Sequence, residues 1–191
     1  MSPALILASA SPRRLALLAQ IGIVPDAVEP ADLDETPERG ELLGPHVLRL
    51  ARAKASAMAP RHPGAVVLAA DTVVVAGRRI LPKAEDADVA RRCLETLSGR
   101  RHRVLTGVAV IDPEGRLRTR LSTTTVTFKR LSAAEIARYL AGGEWAGKAG
   151  GYAIQGSAAA LVRTLSGSWS GVVGLPLFET RALLLAAGVD V

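Results

Sequence analysis

Residues 65–76 read AVVLAADTVVVA, an apolar and largely β-branched run of the kind found in strands buried on both faces. A single polar pair, Asp71-Thr72, interrupts it. Aspartate is among the poorest strand formers, and a buried carboxylate costs several kcal/mol unless it is paired or bound to a metal. Asp71 therefore marks a functional position, with a bulge held by a structural hydrogen bond as the alternative. The core around such a strand must be aliphatic: hydrophobic residues make up 49% of the chain and aromatics only 3%. That scarcity also leaves no stacking platform for single-stranded nucleic acid.

Residues 5–18, LILASASPRRLALL, form a second constrained stretch. A short buried strand (Leu5, Ile6, Leu7) gives way to a polar turn (Ser9, Ala10, Ser11) and a helix with Pro12 at its first position. Ser11 suits the N-cap, where its hydroxyl can accept from an otherwise orphaned amide. Helix N–H groups and the positive end of the dipole favour an anion at this turn, and Arg13 and Arg14 add planar donors that match phosphate oxygens. Two solvated surface arginines are the competing reading.

The first helix carries Leu15, Leu17, Leu18 and Ile21 as its apolar face and stops at Gly22. Residues 25–45 hold Pro25, Pro30, Pro37 and Pro45 with the acidic cluster Glu29, Asp32, Asp34, Glu35, Glu38 and Glu41. Such a run is either a solvated loop or a source of carboxylate ligands for Mg²⁺. Residues 45–58 read as a helix with Val47, Leu50, Ala51 and Met58 on one stripe, and Lys54 falls on that same stripe. Its stem either snorkels to an edge or holds an ammonium in a pocket for phosphate.

After the strand at 65–76, Gly77-Arg78-Arg79 reads as a hairpin turn, and the short strand 80–83 ends on Lys83. Asp86 or a neighbour caps a helix over 87–97 with Val89, Cys93, Leu94 and Leu97 inward. A basic turn at 100–103 leads into a strand at 104–111, with His102 at its entrance as a structural residue. A further strand spans 121–128, and Ser132 with Glu135 forms a capping box for the helix bearing Ile136, Tyr139 and Leu140. The last third is punctuated by glycine, in KAGGYAIQG (148–156) and GSWSGVVGLP (167–176), which suggests backbone brought close to a ligand or ordinary turns. A final helix at 177–187 carries Leu183, Leu184 and Leu185 and stops at Gly188.

At 191 residues the chain is read as one domain, 1–191. A net charge of +6 is compatible with a polyanionic partner, but the arginines are scattered, and a small phosphorylated ligand suits them better than nucleic acid. Cys93 is the sole cysteine, which excludes an intrachain disulfide and points to a reducing compartment. With no apolar run of membrane length and no signal-peptide pattern, the expectation is a soluble, cytoplasmic protein with no membrane partner.

Taken in order, ASASPRR (8–14), ARAKA (51–55), ADTVV (70–74), LPKAEDA (81–87), LSGRRHRVLTGV (97–108), KAGGYAIQG and GSWSGVVGLP resemble the Maf family of nucleoside triphosphate pyrophosphatases. The resemblance covers essentially the full chain. It implies an α/β fold, an elongated mixed β-sheet flanked by helices with two lobes around a cleft, similar to inosine triphosphate pyrophosphatases. It also implies a hydrolase that attacks the α-phosphorus of a nucleoside triphosphate and releases a monophosphate and pyrophosphate, with a divalent metal, Mg²⁺ or Mn²⁺. Ser9, Arg13 and Arg14 match the phosphate-binding turn, and Lys54 and Lys83 match two active-site lysines. Asp71 matches the proton acceptor or a metal ligand, and Glu35, with Asp34, matches the acidic metal-binding position. Arg13, Thr72 and Gln155 match the specificity positions of the subfamily acting on dTTP and UTP, and modified pyrimidine nucleotides belong to the same reading. One departure is Ala84, where the family often has proline after the lysine. Homodimers are common in that family. The alternatives are a pyrophosphatase for 7-methyl-GTP or another non-standard nucleotide, and a non-catalytic, nucleotide-binding regulator of septum formation.

Overall fold

The computed structural model describes residues 2–190. Its strands are β1 (Leu5–Leu7), β2 (Ala27–Val28), β3 (Val66–Ala76), β4 (Arg79–Leu81), β5 (Lys83–Ala84), β6 (Arg101–Ile111), β7 (Leu117–Phe128), β8 (Lys148–Ala149) and β9 (Val162–Ser166). The helices are α1 (Pro12–Gln20), α2 (Leu43–Met58), α3 (Ala87–Leu97), α4 (Ala133–Ala141), α5 (Trp169–Val173) and α6 (Leu177–Ala186). Alternating helices and strands of this kind make a mixed α/β fold. The main sheet runs β2-β1-β3-β6-β7-β9, with β4 added to β3. β1 pairs in parallel with both β2 and β3, whereas β3 with β4 and β7 with β9 are antiparallel. Two compact units share these strands: residues 1–71, 106–122 and 174–191 form the first, and 72–105 with 123–173 the second.

In the first unit β1 is buried along its whole length, and its register places Ile6 beside Val67 on one side and Ala27 on the other. The α2 stripe meets this sheet as its spacing requires: Ala51, Ala55 and Met58 pack with Ile6, Ala8, Val67, Ala69, Ala109 and Ile111. Small residues at these positions let the helix lie close. The approach is tightest at Gly107 in β6, where a Cβ would stand 2.6 Å from the carbonyl oxygen of Val47. Only glycine fits there, because the obstacle is backbone and cannot rotate away. The α1 face is narrower than its leucines suggest: Leu17 and Leu18 are buried, but Leu15 and Ile21 remain exposed.

In the second unit Asp86 accepts from the Val89 amide and opens α3, which buries Ala90, Cys93, Leu94 and Leu97 and leaves Val89 half-buried. Ser132 and Glu135 complete the expected capping box on α4. The stretch 100–103 is not a turn. β6 already begins at Arg101, and exposed Arg101 and Arg103 alternate with buried His102 and Val104 as the two-residue period of a strand demands. His102 meets the rings of Phe128 and Tyr152 edge-on, and its Nε2 lies 2.8 Å from the Tyr152 hydroxyl. β7 also starts earlier than expected, at Leu117, and Leu185 of α6 in the first unit is exposed.

Candidate active site

Ser9 leaves β1 with its side chain buried, and its hydroxyl organises the turn. It accepts from the Ser11 amide at 3.1 Å and from Arg14 Nη1 at 2.9 Å. Ser11 occupies the N-cap position, yet its hydroxyl makes no capping bond, so the expected cap is replaced by this Ser9 turn. The other edge of the Arg14 guanidinium donates from Nε to the Gly174 carbonyl at 2.9 Å, which fixes the plane of the fork. Burial draws Arg14 below its usual pKa; the Asp71 charge opposes that shift, the Arg13 charge adds to it, and Glu35 opposes it. Arg13 is also lowered by burial. These influences place Arg14 in the field of both Asp71 and Glu35, with Arg13 near enough to be felt.

Lys54 is the centre of the arrangement. It sits on the buried stripe of α2, and its Nζ donates to Asp71 Oδ1 and to Glu35 Oε1, both at 2.6 Å. The Lys54 and Asp71 side chains are 9% and 8% exposed, against 38% for Glu35, so the pair is desolvated and the third partner reaches solvent. A buried ion pair persists only when its geometry offsets the cost of desolvation. Two carboxylates on one ammonium satisfy that condition. β3 runs unbroken through Asp71 and Thr72, so the charge is accommodated by its partner and not by ending the strand.

The same two carboxylates decide whether a divalent cation fits. Their oxygens already converge on one positive charge, and Mg²⁺ commonly takes one or two carboxylates with the remainder from water and substrate phosphate. Among the described residues no group of three or more His, Cys, Asp or Glu could hold a metal ion. The donor set thus fits an ion shared with a phosphorylated ligand and not an all-protein cage.

Thr72, Lys83 and Gln155 belong to the second unit. Thr72 follows Asp71 on β3, half-buried. Lys83 is exposed on β5, in register with Ala149 of β8, and the neighbouring Ala84 is buried with its carbonyl accepting from the Gly147 amide. That pairing fixes the backbone beside Lys83 without the proline. Gln155 is exposed at the end of the glycine-rich segment, and Glu144 accepts from the Ser157 amide two residues on. The glycines of this segment serve the protein itself: Gly150 and Gly151 have φ of 70° and 69° and press on Val74 and Ala90. Arg49, five residues before Lys54 on α2, contacts the acidic loop and was not singled out by the sequence.

The dTTP/UTP pyrophosphatase of Rhodospirillum rubrum is 70% identical over 184 residues, which is 96% of this chain and 88% of that protein. The dTTP/UTP pyrophosphatase of Novosphingobium aromaticivorans is 63% identical over 190 residues, 100% of this chain and 94% of that protein. The solved Ham1 protein of Staphylococcus aureus is a more distant likeness, with a TM-score of 0.44 and 17% identity over 65% of this chain and 71% of that one. The profile of the Maf-like proteins matches residues 4–187, nearly end to end, and the chain belongs to that family.

Proposed function

We propose that this chain, acting as one Maf-like domain over residues 1–191, hydrolyses dTTP and UTP to the monophosphate and pyrophosphate. The observation that carries the proposal is Lys54 Nζ held 2.6 Å from both Glu35 and Asp71, in the unit that also holds Ser9, Arg13 and Arg14. Relatives at 63–70% identity bearing the dTTP/UTP name support the choice of nucleotide.

In this mechanism Arg13 and Arg14 hold the triphosphate oxygens, with Ser9 fixing the Arg14 fork so that little reorganisation is needed as charge develops. Asp71 orients the attacking water and takes its proton as the new oxygen bond forms at the α-phosphorus. The bond from that phosphorus to the bridging oxygen breaks, and pyrophosphate carries the electron pair away. Lys54 holds Asp71 in place through the 2.6 Å bond to Oδ1. Glu35 and Asp71 would hold Mg²⁺ or Mn²⁺, which supplies Lewis-acid stabilisation of phosphoryl charge when bound. Lys83, Thr72 and Gln155 are assigned substrate-binding roles from the family motif, with Thr72, Gln155 and Arg13 selecting the base. Among the described residues no helix is long and apolar enough to cross a membrane.

Pyrophosphate release over a panel of dTTP, UTP, ITP and 7-methyl-GTP tests the proposal. The expected result is a highest kcat/KM for dTTP and UTP. Preference for ITP or 7-methyl-GTP would overturn the pyrimidine assignment, and nucleotide binding without pyrophosphate release would overturn the catalytic one.

A further inference from the structure

Between β2 and α2 the chain has no strand or helix from residue 29 to residue 42, and Leu42 is 72% exposed. Apolar burial and backbone ladders therefore do little to fix this loop, although it must present Glu35 to Lys54. Polar contacts do so instead. Arg49 Nη2 donates to the Thr36 carbonyl at 3.2 Å, immediately after Glu35, and Asp34 Oδ1 accepts from the Thr36 amide at 2.9 Å. The same guanidinium grips Glu41 through two bonds, Nε to Oε1 at 2.6 Å and Nη2 to Oε2 at 2.8 Å. Glu41 is only 9% exposed and also meets His46 Nδ1 at 2.9 Å and the Glu38 amide at 3.1 Å. These bonds hold its carboxyl down at about 2, with the Arg49 bond as the main cause. α2 thus holds the loop twice, with Arg49 on the backbone of residue 36 and Lys54 on the side chain of residue 35.

We infer that Arg49, braced by Glu41, is a positioning residue that sets Glu35 against Lys54 by clasping the acidic loop. The inference rests on the metal-holding role proposed for Glu35. A fork that makes bonds to a carboxylate and a carbonyl at once is not replaced by the point charge of lysine.

Hydrogen exchange and turnover on the full-length protein test the clasp together. Arg49→Ala is expected to speed exchange at residues 34–38 while the rest of α2 exchanges as in the wild type. It should lower kcat with dTTP by about tenfold to a hundredfold, the cost of a small misplacement, and Arg49→Lys should recover only part of that loss. In a Glu35→Gln background the same Arg49→Ala change should cost less than about twofold, because a residue acting through Glu35 has nothing left to position. Unchanged exchange at 34–38, or an equal loss in both backgrounds, would overturn the inference. If Glu35→Gln alone leaves turnover intact, the role of Glu35 falls, and the exchange result still decides whether the clasp exists. Should Arg49→Ala fold poorly, Glu41→Gln removes the brace with a near-isosteric side chain and is read in the same way.

Discussion

Asp71 stood out in the sequence because a carboxylate in a β-branched run has no reason to be there unless something receives it, and Lys54 stood out for the same reason on its helix. Each is the answer to the other, since the buried lysine and buried aspartate meet at 2.6 Å. Asp71→Asn should lower kcat by at least about 10²-fold, measured as pyrophosphate release. The melting temperature should stay near the wild-type value, because Lys54 keeps Glu35 as a charged partner. His102 makes a separate residue-scale prediction. Burial lowers its pKa to about 4 from the ordinary 6.5, and among the described residues its Nδ1 has no hydrogen-bond partner. The unfolded chain then binds more protons than the folded one between those values. Stability from this group is complete above pH 6.5 and is lost as pH falls toward 4, with a slope of up to about 1.4 kcal/mol per pH unit. Denaturant titrations across that range should show the slope, and His102→Phe should flatten it.

The elements differed in how far the sequence exposed them. Helix α2 announced itself through its stripe, α3 and α4 through stripe and cap, and β3 through its apolar run. β2, β8 and β9 were not legible: two of them are two residues long, and all owe their existence to a paired neighbour instead of their own pattern. Arginines at 101 and 103 disguised a strand as a basic turn, because alternation is hard to see when the exposed face is wholly charged. The meeting of α2 with β6 was also invisible, since a glycine in a strand signals closeness without naming what is close. Gly107→Ala tests that contact. The added methyl would stand 2.6 Å from the Val47 oxygen and 2.8 Å from its carbon, so helix and strand must part. A loss of about 1–3 kcal/mol is expected, the usual cost of overpacking, read from the urea midpoint.

Across the whole molecule, the order of the motifs identified the family before any distance was known, and the matched span of 4–187 agrees with that reading. The clasp on the acidic loop was hidden because it depends on a backbone carbonyl, and a sequence does not reveal where a carbonyl points. The placement of Lys54 between Glu35 and Asp71 has a consequence for the protein at rest. The chain brings its own counterion to these two carboxylates, so folding and turnover answer to different cations. A chelator should stop dTTP hydrolysis and leave the thermal transition where it was, and the same sample should regain activity once Mg²⁺ is restored, as a lock keeps its shape with the key withdrawn.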